Sequence, residues 1–266
     1  MDLRLATAAA LLGSAAVCGL AANRAERADM PEGQRRGAAT YMSGFSALAT
    51  QVLWMRVERA RLAHRDDQSL LYLRAIHDLE PQLVSAARYF AWEIGVNLAE
   101  GNADPNVRWT LTLEGLRALD TAIAENPLDP DAWANRAAFV VLRIAQSEEL
   151  TGYYKKHVRA GGPVSDAQGD FAKAIELDPL DIESRFALAV TATREGKEAV
   201  VAGQFDAAQR AFARAVEAYD GLFATLGADD IDPNSAMGRE IADLRSSRAD
   251  VKALADETTE RATTPK

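Results

Sequence analysis

The sequence predicts an all-α protein built from repeated helical hairpins, and two observations support this. Alanine is abundant, whereas glycine, proline and β-branched residues are sparse in the periodic segments, which favours helix over strand. A boundary pattern also recurs three times: an apolar helix end, an acidic or Asn residue, Pro, and a helix opened by Asp or a small polar residue. Pro cannot continue a helix, and Asp caps the next one. The copies are HDLEP ending at Pro81, AENPLD around Pro127 and ELDPLD around Pro179.

The residues before these prolines resemble the second helix of a tetratricopeptide repeat. The third copy has the family's small–aromatic–small–proline spacing at Ala167, Phe171, Ala174 and Pro179. The family's G-x-F/Y-x-x-A turn is matched by Gly203-Gln204-Phe205-Asp206-Ala207-Ala208, with Phe212 and Ala215 after it. Trp133 lies six residues after Pro127, where the family places a helix-opening Trp. The resemblance implies a right-handed solenoid of antiparallel hairpins, in which small residues let helices approach closely.

The predicted hairpins are longer than those of the family, whose repeats have about 34 residues. Pro81 and Pro127 are 46 positions apart, and Pro127 and Pro179 are 52 apart. We expect the extra length between the helices of each hairpin, at 101–105 and 147–166, as elongated helices, enlarged loops or both. The repeat domain is predicted over 45–226, with hairpins at about 45–80, 83–125, 131–177 and 182–219.

A second resemblance covers residues 41–97. Several positions are similar to a bacterial group of membrane-anchored tetratricopeptide proteins that carry G-F/Y-x-x-L-x-A-D-x-L-W after the anchor. They are Gly44, Phe45, Leu48, Leu53, Trp54 and Arg56, followed by Ala91, Trp92 and Asn97. Thr50-Gln51 stands where that group has Ala-Asp. The resemblance implies a membrane-anchored architecture.

The N-terminal residues 3–22 are almost uncharged, with Arg4 as their one charge, and as a helix they would match the ~30 Å core of a bilayer. Three interpretations remain open: an uncleaved signal anchor over 1–24, a signal cleaved near Gly19-Leu20-Ala21, and a lipoprotein signal that makes Cys18 the lipidated residue. We favour the anchor, followed by a linker over 25–44. The arginines after it would keep the domain in the cytoplasm, whereas export-type N-termini argue the opposite, and we favour the exported side.

The C-terminal region 227–266 is predicted to cap the solenoid. Apolar residues in 234–261 are spaced as on one helix face, which would cover the last exposed hairpin. Residues 258–266 are expected to form a frayed tail.

The sequence contains no motif for catalysis, metal binding or cofactor binding. Its net charge of −9 argues against a nucleic-acid partner, and Cys18 is its single cysteine. The three histidines, His64, His77 and His157, have no second ligand at metal spacing. We therefore expect no cofactor, no metal and no enzymatic activity.

Two surfaces are candidates for binding. The concave face of the solenoid would carry Arg88, Trp92, Asp131, Ala134, Ala138, Val141, Glu183, Phe186 and Val190. Its apolar centre suits a helix or hydrophobic segment of another protein, unless lengthened helices close the array and bury these residues as core. The second candidate is a basic–aromatic patch, which would meet anionic headgroups or an acidic partner, unless it is a solvated helix end. Its residues are Tyr153, Tyr154, Lys155, Lys156 and Arg159.

These observations together predict a non-enzymatic scaffold that mediates protein–protein interaction, as a membrane-anchored subunit of a bacterial envelope assembly. The alternative is an accessory subunit that positions the substrate of a polysaccharide-export or transport enzyme complex. A basic, open groove would favour the alternative, and an apolar groove of helix width would favour the scaffold.

Overall fold

The computed structural model describes residues 48–63, 65–80, 83–229, 231–232 and 235–263, and every secondary-structure element among them is helical. The all-α prediction is therefore confirmed for this part of the chain. The first five elements are α1 (48–62), α2 (Asp66–Leu79), α3 (Val84–Trp92), the first π-helical segment (Glu93–Leu98) and α4 (Pro105–Glu125). They are followed by α5 (Pro130–Phe139), the second π-helical segment (Val140–Ile144), α6 (Glu148–His157), α7 (Pro163–Leu177), α8 (Ile182–Val201), α9 (Phe205–Leu226) and α10 (Ala236–Thr263).

None of the described helices combines the length and apolar character that crossing a bilayer would require. The predicted anchor at 3–22 and the linker at 25–44 lie outside the described residues. The Gly44-Phe45 pair of the second resemblance lies outside them as well.

The chain divides into two compact units, one ending at Phe90 and the other beginning at Ala91. In the first unit, ring contacts connect α1 and α2 with α3. Trp54 meets Tyr89 edge to face with ring centres 5.4 Å apart, and His77 stacks on Phe90 at 5.9 Å. Val57, Leu73 and Ile76 are buried between these helices. Burial of this apolar surface stabilises the unit.

In the second unit, helices pack together in pairs. Helix α4 packs against the first π-helical segment, α5 against α7, and α8 against α9. Small residues stand where helices approach most closely: a Cβ on Gly196 would lie 2.5 Å from the Phe212 ring. Ala174 and Ala208 are fully buried, as the predicted register requires.

The helix boundaries follow the recurring proline pattern. Asp129 accepts a 2.9 Å hydrogen bond from the backbone N–H of Asp131 at the start of α5. Asp181 accepts one from the N–H of Ser184 at the start of α8, also 2.9 Å long. Each carboxylate satisfies an N–H that the first helical turn leaves without a partner. The predicted opening of new helices by Asp is confirmed at both prolines.

The extra length of the third hairpin forms a helix of its own. Within 147–166, Ser147 caps α6 by accepting from the N–H of Leu150, and α7 begins at Pro163. Helix α6 thus lies in sequence between α5 and α7, the two helices that pack together. In the preceding hairpin the extra length lies in α4, a 21-residue helix.

The last helix covers the C-terminal hairpin. Helix α10 packs on α9, with Ile241 and Val251 buried and Leu244 and Leu254 against the core that α8 and α9 form. The helix extends to Thr263, and Thr258 is buried. Residues 258–263 are therefore helical, and the expectation of a frayed tail from 258 onward was wrong for them.

Candidate functional site

The nine residues predicted for the concave face differ in exposure. Trp92, Ala134, Ala138 and Val141 are half-buried, whereas the other five are exposed: Arg88, Asp131, Glu183, Phe186 and Val190. Arg88 belongs to the first unit, where its guanidinium lies 5.3 Å from the centre of the Tyr89 ring.

Trp92 is part of the core packing of the second unit. Its ring meets the fully buried Phe139 edge to face, with centres 5.8 Å apart and an interplanar angle of 79°. Trp92 and Val141 both pack against the cluster that contains Phe139, Val140 and Ile144. Trp92 and Val141 therefore pack against the core, as expected if the lengthened helices close the array. Neither side chain is free to anchor a partner.

Helix α8 carries the exposed apolar part of this face. Ile182, Phe186 and Val190 are 42%, 44% and 45% exposed and lie four residues apart, so they share one side of the helix. We call these three residues the α8 stripe. Ala189 and Ala192, next to the stripe on the helix surface, are buried in the core that α8 and α9 form. Ile182 is not among the residues predicted for this face, although its spacing of four residues from Phe186 is a signal that could identify it.

The predicted basic–aromatic patch is divided by the fold. Lys155 and Lys156 are exposed, but Tyr154 is fully buried and does not belong to a surface patch. Tyr153 is half-buried, with its ring stacked on Trp109 at 5.6 Å and its hydroxyl donating to Oδ1 of Asn106. The guanidinium of Arg159 is bound to the buried carboxylate of Asp166.

Tyr154 and Arg159 belong to a buried ionic network centred on Arg136. The Arg136 guanidinium donates to Asp120 at 2.6 Å, to Asp166 at 3.2 Å and to Asp170. Asp166 also accepts hydrogen bonds from the Tyr154 hydroxyl and from Arg159. These contacts connect α4, α5, α6 and α7, so the network fixes the additional helix α6 to the third hairpin.

Charge and burial shift the pKa values in this network. Burial raises the pKa of Asp170 to about 6, although the Arg136 guanidinium opposes the shift. Burial favours the neutral form of Arg136, but the carboxylates of Asp170 and Asp120 outweigh it and raise its pKa, so Arg136 remains charged. Burial and the hydrogen bond to Asp166 also raise the pKa of the Tyr154 hydroxyl.

The network is suited to holding helices together. Asp166 is 6% exposed and Tyr154 is fully buried, so a substrate cannot reach the groups at its centre. The network was not predicted from the sequence. Its signal there is that Asp166 and Asp170, four residues apart, directly precede the core residues Ala167 and Phe171. Carboxylates at buried positions need a cationic partner.

Metal-binding residues do not cluster in the part of the chain that the structure describes, where no group of three or more His, Cys, Asp and Glu side chains could hold an ion. His77 is half-buried against Phe90, and His157 stacks with Tyr153 at 6.2 Å. His64 lies outside the described residues.

No protein-family model matches the chain, and no curated protein matches its sequence. Solved structures similar to the chain include two of MamA. One has a TM-score of 0.38 and 12% sequence identity, covering 80% of this chain and 93% of that one. The other has a TM-score of 0.35 and 11% identity, covering 77% and 95%. MamA from Desulfovibrio magneticus RS-1 has a TM-score of 0.31 and 14% identity, covering 69% and 98%.

Proposed function

We propose that this chain is a non-enzymatic helical-repeat scaffold that binds another protein through the α8 stripe. The observation that carries the proposal is the set of three apolar side chains on one side of α8, each more than 40% exposed. Exposed apolar residues that share a surface lose water contact when a partner covers them, and aromatic residues such as Phe186 concentrate binding energy at interfaces.

The partner that fits this surface is an amphipathic helix. The α8 stripe extends over two helical turns, about 12 Å, which is the length that anchors spaced four residues apart on a partner helix would cover. Glu183 is exposed beside Ile182, at the start of α8. We therefore expect basic residues in the partner next to its apolar side, because opposite charges at the rim of an interface steer association.

The composition of the stripe favours this scaffold over an accessory subunit that positions a polysaccharide or transport substrate. An accessory subunit of that kind would need a basic groove. The three stripe side chains are apolar, and the charged residues of the predicted face on α5 and α8 are the acidic Asp131 and Glu183. An acidic rim would repel an anionic substrate.

We further propose that residues 3–22 anchor the protein in a bacterial membrane, with the repeat domain on the exported side and within an envelope assembly. The bilayer-matched length of 3–22 supports the anchor. Intact-mass measurement of the protein purified from its native membranes tests it, because an anchor keeps Met1 or Asp2 as the first residue. A mature start near Ala22, or a lipid on Cys18, would contradict the anchor. Protease treatment of intact spheroplasts should digest the repeat domain if it is exported.

The binding proposal is tested by capture from detergent-solubilised native membranes with a matched pair of variants. Phe186→Ala with Val190→Ala truncates the α8 stripe. Leu128→Ala with Val201→Ala removes similar apolar groups that are 79% and 89% exposed elsewhere in the second unit. A protein captured by the wild type and by the control pair, and lost with the stripe pair, is the expected result.

Equal recovery of every captured protein by the stripe pair and the control pair would exclude the α8 stripe as the binding surface. Thermal melts of both pairs separate binding from folding. All four side chains are exposed, so each pair should melt within a few degrees of the wild type.

A further inference from the structure

The described residues that line a small cavity in the first unit include three arginines, a glutamine and a tyrosine. The cavity has a volume of about 160 Å³, and it lies where α1, the turn after it and α2 meet. Arg56 and Arg59 come from α1, Arg65 from the turn, and Gln68 and Tyr72 from α2. The two remaining described residues of the lining are alanines. Three cationic side chains therefore line one small cavity.

These three arginines have no ion-pair partner among the described residues, which distinguishes them from most arginines of the second unit. In the second unit, nine arginines pair with carboxylates: Arg108, Arg136, Arg143, Arg159, Arg194, Arg214, Arg245, Arg248 and Arg261. Even Arg61, which neighbours the cavity residues in sequence, lies 4.0 Å from Glu58. The described residues that line the cavity include no carboxylate.

Guanidinium groups that line one cavity without carboxylate partners repel each other. This local cluster of positive charge contrasts with the net charge of −9 of the whole chain. A bound anion would replace this repulsion by attraction. The cavity is also partly organised in advance, since the Arg56 guanidinium lies 5.8 Å from the centre of the Tyr72 ring. Such a cation–π contact holds the guanidinium over the ring and reduces the rotamer freedom that binding must remove.

We propose that this cavity binds a phosphate group. Guanidinium groups present paired N–H donors that match two oxygens of a phosphate, and the amide of Gln68 supplies a further donor. The cavity is smaller than the roughly 300–1,000 Å³ sites that enclose drug-sized ligands, so it suits a single charged group. The phosphate belongs either to a small soluble molecule or to a phospholipid headgroup. This inference does not depend on the α8 stripe, which lies in the second unit.

The first experiment is calorimetric titration of the full chain, in nonionic detergent, with inorganic phosphate. The test variant carries Arg56→Gln, Arg59→Gln and Arg65→Gln. The control carries Arg117→Gln, Arg210→Gln and Lys252→Gln, three exposed residues of the second unit, so that both variants lose the same charge. Wild type and control should bind saturably, and the test variant should bind at least about tenfold more weakly, a loss of about 1.4 kcal/mol.

The second experiment distinguishes the two sources of the phosphate. Dihexanoyl phosphatidic acid, kept below its micellar concentration, replaces inorganic phosphate in the same titration. Binding at least about tenfold tighter than that of inorganic phosphate assigns the cavity to a lipid headgroup, whereas equal or weaker binding assigns it to a soluble phosphate. Either result supports a phosphate site, provided that the test variant loses the binding and the control keeps it.

Two results would overturn the proposal. One is the absence of saturable binding of both ligands to the wild type, and the other is equal loss of affinity in the test and control variants. If the test variant does not fold, as judged by its helical circular dichroism, Arg59→Gln alone replaces it. That single change should still weaken binding several-fold, and unchanged affinity would overturn the proposal too.

Discussion

The indole N–H of Trp133 donates a 3.0 Å hydrogen bond to the carbonyl oxygen of Pro127, six residues earlier. The next boundary of the same kind repeats the relationship with another side chain. There the guanidinium of Arg185 donates to the carbonyl of Pro179, with a 2.9 Å contact from one of its nitrogens. Pro127 and Pro179 each follow the end of a helix, where carbonyl groups lack intrahelical partners. The repeat thus preserves an acceptor position while the donor changes.

We expect Trp133→Phe to destabilise the second unit by at least about 1 kcal/mol, because the N–H donor is lost together with part of the aromatic surface. Arg185→Gln should cost a similar amount, since the shorter side chain does not span the distance to Pro179. Urea-unfolding curves of the two variants measure both effects. No change in either variant would mean that the hydrogen bonds contribute nothing net to stability.

Substitution of buried alanines should show where the helices cross. Ala174 and Ala208 are fully buried, so Leu at either position should overpack the crossing and cost about 1–3 kcal/mol. Ala213 lies on the exposed side of α9 and provides a matched control. Thermal melts should show Ala213→Leu within a few tenths of a kcal/mol of the wild type. An equally small effect at Ala208 would contradict the helix register.

Two helical glycines should respond to Ala in opposite directions. A Cβ on Gly115 would lie 2.8 Å from the backbone carbonyl oxygen of Ala91, so Gly115→Ala must push two helices apart and should destabilise the unit. Gly169, inside α7, has open space around the same position. Gly169→Ala should therefore stabilise the protein by about 0.5–1 kcal/mol, the helix-propensity difference. Denaturation midpoints of both variants measured side by side decide the matter.

Trp92 and Phe186 should separate core packing from binding. Trp92→Ala removes the ring that packs against Phe139 and should cost about 3 kcal/mol. Phe186→Ala truncates a side chain that is 44% exposed and should leave the melting temperature nearly unchanged while reducing partner capture. A stable Trp92→Ala protein would return Trp92 to the set of candidate partner contacts.

The ionic network should give an unusual pH dependence through Asp170. Its folded-state pKa of about 6 lies above its ordinary value of 3.8, so between these values the folded chain keeps a proton that the unfolded chain has released. The contribution of Asp170 to stability therefore declines as pH rises from about 4 to 6, opposite to that of a carboxylate with a lowered pKa.

Asp170→Asn isolates this contribution, because the amide does not titrate. We expect the unfolding free energy of the wild type minus that of Asp170→Asn to fall between pH 4 and pH 6, as measured by urea denaturation at several pH values. If this difference rises instead, the attraction of Arg136 exceeds the effect of burial, and the Asp170 pKa is lowered.

The features that follow from local chemistry could be predicted from the sequence. The recurring Pro and Asp positions fixed the helix boundaries, because capping and proline geometry depend on a few adjacent residues. Helix α6 carried local signals as well, with Ser147 and two glutamates at its start and Lys155, Lys156 and His157 at its end. These signals leave elongated helices, enlarged loops or both open for 147–166, and a basic patch or a solvated helix end for Tyr153–Arg159. A separate helix is not predicted, because the family's shorter repeat offers no place for it.

The candidate face was harder to predict, because its residues were assigned by extending a regular α-helical register from the proline positions. Successive side chains of an α-helix are rotated by about 100° around the helix axis. A π-helical segment has more residues per turn, so the side chains after it point in different directions from those that an uninterrupted α-helix would give. After Phe139 the chain enters the second π-helical segment, where Val140 is buried and Leu142 is 58% exposed. Phe186 and Val190, on the regular helix α8, are exposed, whereas Val141, inside the π-helical segment, packs against the core. Long-range ion pairs such as Arg136–Asp170 depend on contacts that sequence spacing does not encode.

The additional helix α6 has a consequence for the order in which the hairpins fold. Helices α8 and α9 are joined by the short turn 202–204, whereas about two dozen residues separate α5 from α7. Loop-closure entropy rises by about 0.6 kcal/mol with each doubling of length, so the C-terminal hairpin closes at a lower entropic cost, by roughly 2 kcal/mol. It should be the early nucleus in refolding. The central hairpin forms later, once Tyr154 has reached Asp166 and the intervening segment has become helical.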